Sequence, residues 1–170
     1  MKKILIAFIG FLFASCSTTH YYIVRHAEKE VQASNMSSDV PLTANGSQNA
    51  IALKDQLRSQ NIRHIFSTNY IRTKATAEPL SEANDVPIAI YNPGDTSFIT
   101  QLKNISQGNI LVVGHSNTVG DLVNKLTGQS LLKDLPDPQY GDLFIVKKKG
   151  NKYSYQKSHY GVKRFPAIGN

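Results

Sequence analysis

Two arginines and two histidines are the residues of this sequence whose types and settings could do chemistry. Arg25 and His26 directly follow the β-prone run Tyr21-Tyr22-Ile23-Val24. His115 directly follows Ile110-Leu111-Val112-Val113-Gly114, and Arg72 stands shortly after Ser67-Thr68-Asn69, which closes another apolar run. A guanidinium offers a planar fork of donors that matches phosphate oxygens, and an imidazole serves as nucleophile or proton carrier near neutral pH. Brought to one edge of a sheet, the four would hold and attack a phosphoryl group, and the carboxyl edge is where open α/β sheets place their ligands. Each also has a plainer reading. An Arg-His pair after a strand is more often a surface pair, Arg72 could bridge to Glu78 or Glu82, and a lone His115 would by default be a capped structural histidine. The arrival of three separate segments at one edge is what favours chemistry.

The elements that must position them follow from periodicity. Ala27 to Pro41 has no clear period and carries Ser34, Asn35, Ser37, Ser38 and Asp39, which predicts a loop beside the His26 edge. Thr43 is placed to cap a helix with Ala50, Leu53 and Leu57 on one face. Ile62 to Ser67 predicts a strand, and the following helix carries Arg72 in its first turn, where a cation opposes the macrodipole. Val86 to Tyr91 predicts a third strand, Asn92-Pro93-Gly94 a turn, and Asp95 a cap for the helix bearing Phe98, Ile99, Leu102 and Ile105. The run 110–114 is apolar on both faces and therefore central and parallel. Ser116, Asn117 and Thr118 open a helix that Gly128 closes. Tyr140 to Lys148 and Lys152 to His159 alternate around Gly150-Asn151 and predict a β-hairpin. The fold class is therefore α/β: a mainly parallel central sheet with helices on both faces and a C-terminal hairpin at its edge.

A chain of 170 residues suggests one such domain. Its start reads differently. Lys2 and Lys3 precede eleven uncharged residues, Ile4 to Ala14, too few to span a bilayer, and small residues then lead to Cys16. Residues 1–15 are expected to be a signal peptide, 16–20 a short tether and 21–170 the domain. Cys16 is the single cysteine, so neither an internal disulfide nor a multi-thiolate metal site is available. Its setting resembles the lipobox of bacterial lipoproteins, with Phe13 where that family usually has Leu; an ordinary secretory signal is the alternative. The resemblance implies lipidation of Cys16 and a place in the bacterial cell envelope, on the periplasmic face or at the outer membrane. Without residues 1–15 the formal charge falls from +7 to +5, as Lys2 and Lys3 are lost; this modest excess suits anionic ligands, but no nucleic-acid recognition motif accompanies it. Lys147-Lys148-Lys149 and Lys152 read as a solvated hairpin.

Four pieces in order resemble the histidine phosphatase superfamily, which includes the cofactor-dependent phosphoglycerate mutases. They are Arg25-His26-Ala27 for its R-H-G, Leu42-Thr43-Ala44-Asn45-Gly46 for L-T-x-x-G, Thr68 to Ala77 for S-x-x-x-R-x-x-x-T-A, and Gly114-His115-Ser116 for G-H-S/G. The resemblance implies a phosphoglycerate mutase-like fold and a phosphohistidine formed on His26, with Arg25, Arg72 and a protonated His115 on the phosphoryl oxygens. Ser116 and Asn117 could add backbone donors at a helix start. Neither metal nor cofactor is then required. Ala27 in place of Gly is harmless if its φ is negative. For the proton donor to the leaving group, Asp95 is the candidate; Glu28 is read as supporting the site, and Glu78 and Glu82 as solvated. Some relatives lack such an acid and act on good leaving groups such as phosphohistidine. His20, His64 and His159 are assigned no role.

The expected function is a metal-independent phosphomonoester hydrolase acting on a phosphorylated small molecule or phosphoprotein. The alternatives are a phospho-ligand-binding lipoprotein and a phosphomutase. The compact Ala27 to Pro41 and Asp95 segments predict an open site. A mildly acidic to neutral optimum is expected if His26 must be neutral while His115 is charged.

Overall fold

The computed structural model describes residues 18–31, 38–136 and 139–161. The leader, Cys16 and the loop residues Ser34, Asn35 and Ser37 lie outside the described residues. Six strands and four helices follow in order: β1 (Thr18–Arg25), α1 (Ala44–Leu57), β2 (Ile62–Ser67), α2 (Ile71–Asn84), β3 (Ile88–Ile90), α3 (Ser97–Asn104), β4 (Asn109–Gly114), α4 (Ser116–Thr127), β5 (Asp142–Lys149) and β6 (Lys152–His159). They form one sheet in the order β3-β2-β4-β1-β5-β6. The first four of these are parallel, and the hairpin adds two antiparallel strands on the β1 side.

Side-chain alternation along the strands explains the layers. In β1, Tyr21 and Ile23 point to one face and pack with Phe98, Leu102, Val119, Leu122 and Val123 of α3 and α4. Tyr22 and Val24 point to the other and pack with Leu53, Leu57, Ala77 and Leu80 of α1 and α2. β4 divides the same way, Ile110 and Val112 against Leu111 and Val113, all wholly buried. The expected central parallel strand is thus β4, flanked by β1 and β2.

Two helix ends fall where the sequence predicts, whereas the N-caps of α3 and α4 are Thr96 and His115 rather than Asp95 and a residue of Ser116-Asn117-Thr118. The Thr43 hydroxyl accepts from the Gly46 amide at the start of α1, and Gly128 closes α4 with φ 70°. The boundaries that differ include those of β1 and β3. β1 begins at Thr18, so Thr18 to His20, expected in the tether, are strand residues held by pairing with Lys149, Lys148 and Lys147. β3 is only three residues long, because just Ile88 to Ile90 pair with β2. No helix among the described residues is long and apolar enough to cross a membrane.

Candidate active site

Register brings the chemistry together. β1 and β4 are parallel neighbours with Arg25 opposite Gly114, so His26 and His115 leave adjacent strands side by side, and the His26 amide donates to the Gly114 carbonyl at 2.9 Å. Their rings lie 5.5 Å apart, nearly edge to face. Ser67 of β2 pairs with Val113 on the other side of β4, which sets Thr68 beside His115 and starts α2, carrying Arg72, at the same edge. A cleft of about 910 Å³ is lined there by Arg25, His26, Arg72, His115 and Ser116, with Asn117 beside them.

Two glycines make this approach possible. A Cβ on Gly46 would strike the carbonyl oxygen of Glu28, so the start of α1 seats directly on the loop that leaves His26. A Cβ on Gly114 would lie 2.7 Å from Thr118 Oγ1 and 2.8 Å from the Tyr91 hydroxyl. Ala27 is not among the residues with positive φ, so its side chain is tolerated where the family pattern has Gly. Its amide donates to Thr76 Oγ1 at 2.9 Å, and that hydroxyl donates to the Arg72 carbonyl at 2.7 Å. The Thr of the x-x-x-T-A pattern therefore ties the loop that follows His26 to the helix that carries Arg72.

His26 is 2% exposed. Its Nδ1 lies 2.8 Å from the Ala27 carbonyl oxygen, which can only accept, so Nδ1 carries the proton and Nε2 the lone pair. Burial pushes His26 down to about 3; the Ala27 hydrogen bond opposes this, and the nearby Arg25, Arg72 and His115 reinforce it. The imidazole is therefore neutral throughout the physiological range, with its Nε2 lone pair available.

His115 is held differently. Thr73 Oγ1 donates to backbone oxygen of Thr68 or Tyr70, Thr68 Oγ1 donates to Thr73 Oγ1, and His115 Nε2–H donates to Thr68 Oγ1 at 2.9 Å. That chain fixes the tautomer, with Nδ1 turned to Arg72 Nη2 at 3.5 Å. Burial, then Arg72 and Arg25, push His115 down to about 4, while Asp39 opposes them. The expected protonated His115 is thus not produced by the chain's own groups; a phosphoryl anion would have to offset the two guanidiniums.

Both arginines are stacked and braced. The Arg25 guanidinium lies 4.4 Å over the Tyr140 ring, and Nη1 donates to the Gln139 carbonyl at 3.2 Å. The Arg72 guanidinium lies 4.5 Å over the Tyr70 ring; Nη1 donates to the Ser38 carbonyl at 3.2 Å and lies 3.6 Å from Asp39 Oδ1. Arg72 therefore pairs with Asp39 rather than Glu78 or Glu82. Asp39 Oδ1 also accepts from the Ile71 amide at 2.8 Å, placing a negative charge at the start of α2 and easing the macrodipole conflict that Arg72 creates. Arg72 Nε is buried with no hydrogen-bond partner among the described residues, as suits a group meant for an added anion.

Asp95 is not brought to this site. It is exposed, does not line the cleft, and its Oδ1 accepts from the Ser97 amide at 2.8 Å at the start of α3. Its carboxylate thus serves the first amide of α3, whose N-cap residue is Thr96. Glu28 instead accepts from Asn45 Nδ2 in α1, in keeping with a supporting role. Among the described residues, no Asp or Glu lines the cleft. Sequence reasoning missed Tyr70, Tyr140 and the Thr68-Thr73 pair; the only signal for the threonines was their place beside Arg72 in the motif.

A family model for the Histidine phosphatase superfamily (branch 1) matches residues 21–92. A probable phosphoglycerate mutase of Salmonella choleraesuis (strain SC-B67) is 36% identical over 90 residues, covering 51% of this chain and 38% of the relative. The chain thus matches well under half the length of such curated relatives. The structure of the protein histidine phosphatase SixA complexed with tungstate superposes with a TM-score of 0.66 at 19% identity, covering 82% of this chain and 96% of that one. A putative alpha-ribazole-5'-P phosphatase from Escherichia coli K-12 MG1655 gives 0.65 at 16% identity, covering 85% and 97%. The likeness to these two structures establishes the fold, and the match to the histidine phosphatase superfamily model spans residues 21–92.

Proposed function

We propose that this chain hydrolyses phosphoryl compounds through a phosphohistidine on His26. The observation that carries the reading is the Nδ1–H bond from His26 to the Ala27 carbonyl, which leaves Nε2 as nucleophile beside Arg25, Arg72 and His115. The Nε2 lone pair attacks phosphorus and the bond to the leaving group breaks, that group departing with the electron pair. Arg25 and Arg72 hold the non-bridging oxygens by charge-assisted hydrogen bonds, and His115 takes up a proton from solvent and joins them as negative charge accumulates. Water then attacks the phosphohistidine, the P–N bond breaks, and inorganic phosphate leaves with His26 restored.

The lack of a carboxylate lining the cleft among the described residues favours leaving groups that need little protonation, such as phenols or the imidazole of a phosphohistidine. The same feature favours the second reading, a phospho-ligand-binding protein without efficient turnover. Mutase activity is the weaker enzyme alternative, resting on the motif resemblance and on the name of the relative. Residues 1–15 are proposed to be a signal peptide and Cys16 a lipidated anchor, holding the domain in the cell envelope.

Hydrolysis of an aryl phosphate in excess chelator, beside His26→Ala, tests the reading. Activity that survives chelation and vanishes in the variant supports it. No activity in either chain, on a reagent whose leaving group scarcely needs an acid, moves the assignment to a binding protein. Comparable turnover of small and bulky substrates would support an open site, and a strong preference for one small metabolite would sink that part.

A further inference from the structure

We infer that the end of the sheet opposite the active site is a docking face for an anionic bilayer surface, which points the catalytic cleft away from the membrane. The inference extends the proposed anchoring through Cys16 and is tested separately from it.

β1 fixes the geometry. The chain enters the sheet at Thr18 and delivers Arg25 at the other end, seven steps of about 3.3 Å and so roughly 23 Å away. β5 runs antiparallel to β1 and sets Lys149 opposite Thr18, Lys148 opposite Thr19 and Lys147 opposite His20; across the turn, Lys152 pairs with Lys149. The lysine run that reads in sequence as an ordinary solvated hairpin is therefore gathered at the point where the chain emerges. Only Ser17 separates Cys16 from Thr18.

Some of this charge has structural work. Lys148 Nζ donates to the Lys103 carbonyl at 2.5 Å, and Lys103 Nζ to the Lys125 carbonyl at 3.1 Å, so these two serve the ends of α3 and α4. Lys147, Lys149 and Lys152 are exposed and make no ion pair with a described residue. Protection of a sheet edge does not explain them all, because Lys147 and Lys149 lie on β5, which is paired on both sides, and only Lys152 is on the edge strand. The single acid of the hairpin, Asp142, stands at its far end, bonded to Lys157 at 2.9 Å. Charge is thus segregated along the hairpin. At the basic end, Arg63 also lies exposed in a polar recess of about 430 Å³ that reaches Thr18.

The partner follows from the form of the patch. Ammonium groups on flexible stems at a blunt hairpin tip suit an extended layer of anionic headgroups, each lysine near such a surface contributing about a fivefold gain in affinity. A short link to a lipidated Cys16 would hold the patch within the roughly 10 Å over which that attraction acts. One lipid anchor and a basic patch are two independent membrane signals.

The test uses the full chain as processed by its cell, with vesicles of phosphatidylcholine alone or with one-third phosphatidylglycerol. Binding is compared with that of Lys147→Gln/Lys149→Gln/Lys152→Gln, after a melting curve confirms that the variant folds. Lysine acetylation read by mass spectrometry reports which end is covered, with Lys29 of the cleft as the opposite marker. The expected result is salt-sensitive binding to anionic vesicles, roughly 100-fold weaker in the variant, with Lys147, Lys149 and Lys152 protected and Lys29 not. Equal binding of both chains to both vesicle types would keep the anchor and overturn the docking face. Binding to anionic vesicles alone would keep the face and remove the anchor. Binding to neither, or protection of Lys29 in place of the three, would overturn the inference.

Discussion

Acid stability offers a direct check on how His26 is held. Burial and three neighbouring cationic or ionisable groups put it at about 3, against 6.5 for a free imidazole. The folded protein therefore keeps His26 neutral while the unfolded chain takes up a proton as pH falls below 6.5. The sign is fixed: the unfolded state binds more protons between 6.5 and about 3, so stability is full above that window and is lost progressively on descending through it. Between pH 7 and pH 5 this one residue should account for about 2 kcal/mol of lost stability. His115 shifts in the same direction, but it is only half-buried and solvent screening reduces its share. Urea unfolding at the two pH values measures the total, and His26→Gln removes the titrating group. The variant should lose about 2 kcal/mol less than the parent over that interval, whatever its stability at pH 7. An identical pH dependence in both chains would refute the buried neutral His26.

Other consequences are open to simpler assays. Gly46→Ala should destabilise the protein by about 2–4 kcal/mol in denaturant unfolding, because the new methyl meets the Glu28 carbonyl where α1 seats on the nucleophile loop. Arg72→Gln should lower kcat/KM about 10²–10³-fold on an aryl phosphate, through loss of a charged clamp on the phosphoryl oxygens; a change under threefold would remove Arg72 from the site. Asp95→Asn should leave turnover within about twofold, since groups outside such a site rarely matter more, and a large loss would restore it as the acid. In the rate profile, protonation of His26 should not set the acid limb above about pH 4; a limb near 6.5 that belongs to the enzyme and not to the substrate would contradict this.

Much of the scaffold was legible because its signals are local. The uninterrupted run 110–114 announces a strand buried on both faces, Thr43 and Gly128 announce helix ends, and Gly150-Asn151 announces a hairpin turn. Arg25, His26 and His115 could be placed because each directly follows such a run, so that parallel pairing alone brings them together. What stayed hidden is non-local. Thr18 to His20 join β1 only because β5 reaches back to pair with them, across a separation that no window reveals. Asp39 lies in an aperiodic loop, and nothing near it in sequence marks it as the partner of Arg72 and cap of α2. Tyr70 and Tyr140 stack on the arginines from a helix cap and a loop, positions where aromatic residues carry no periodic signature. Asp95 misled for a related reason. A carboxylate after a turn fits a cap and a catalytic acid equally well until the turn shows which way it faces.

The central claim, covalent chemistry at His26, is tested most directly by trapping. A phosphoryl donor carrying labelled phosphorus, quenched in base after mixing in excess chelator, should leave label on the protein that is stable to alkali and lost in acid, as a phosphoramidate is. Peptide mapping should place it on His26, and His26→Ala should carry none. Turnover without any trapped label at times shorter than one catalytic cycle, or label that persists in His26→Ala, would contradict the account.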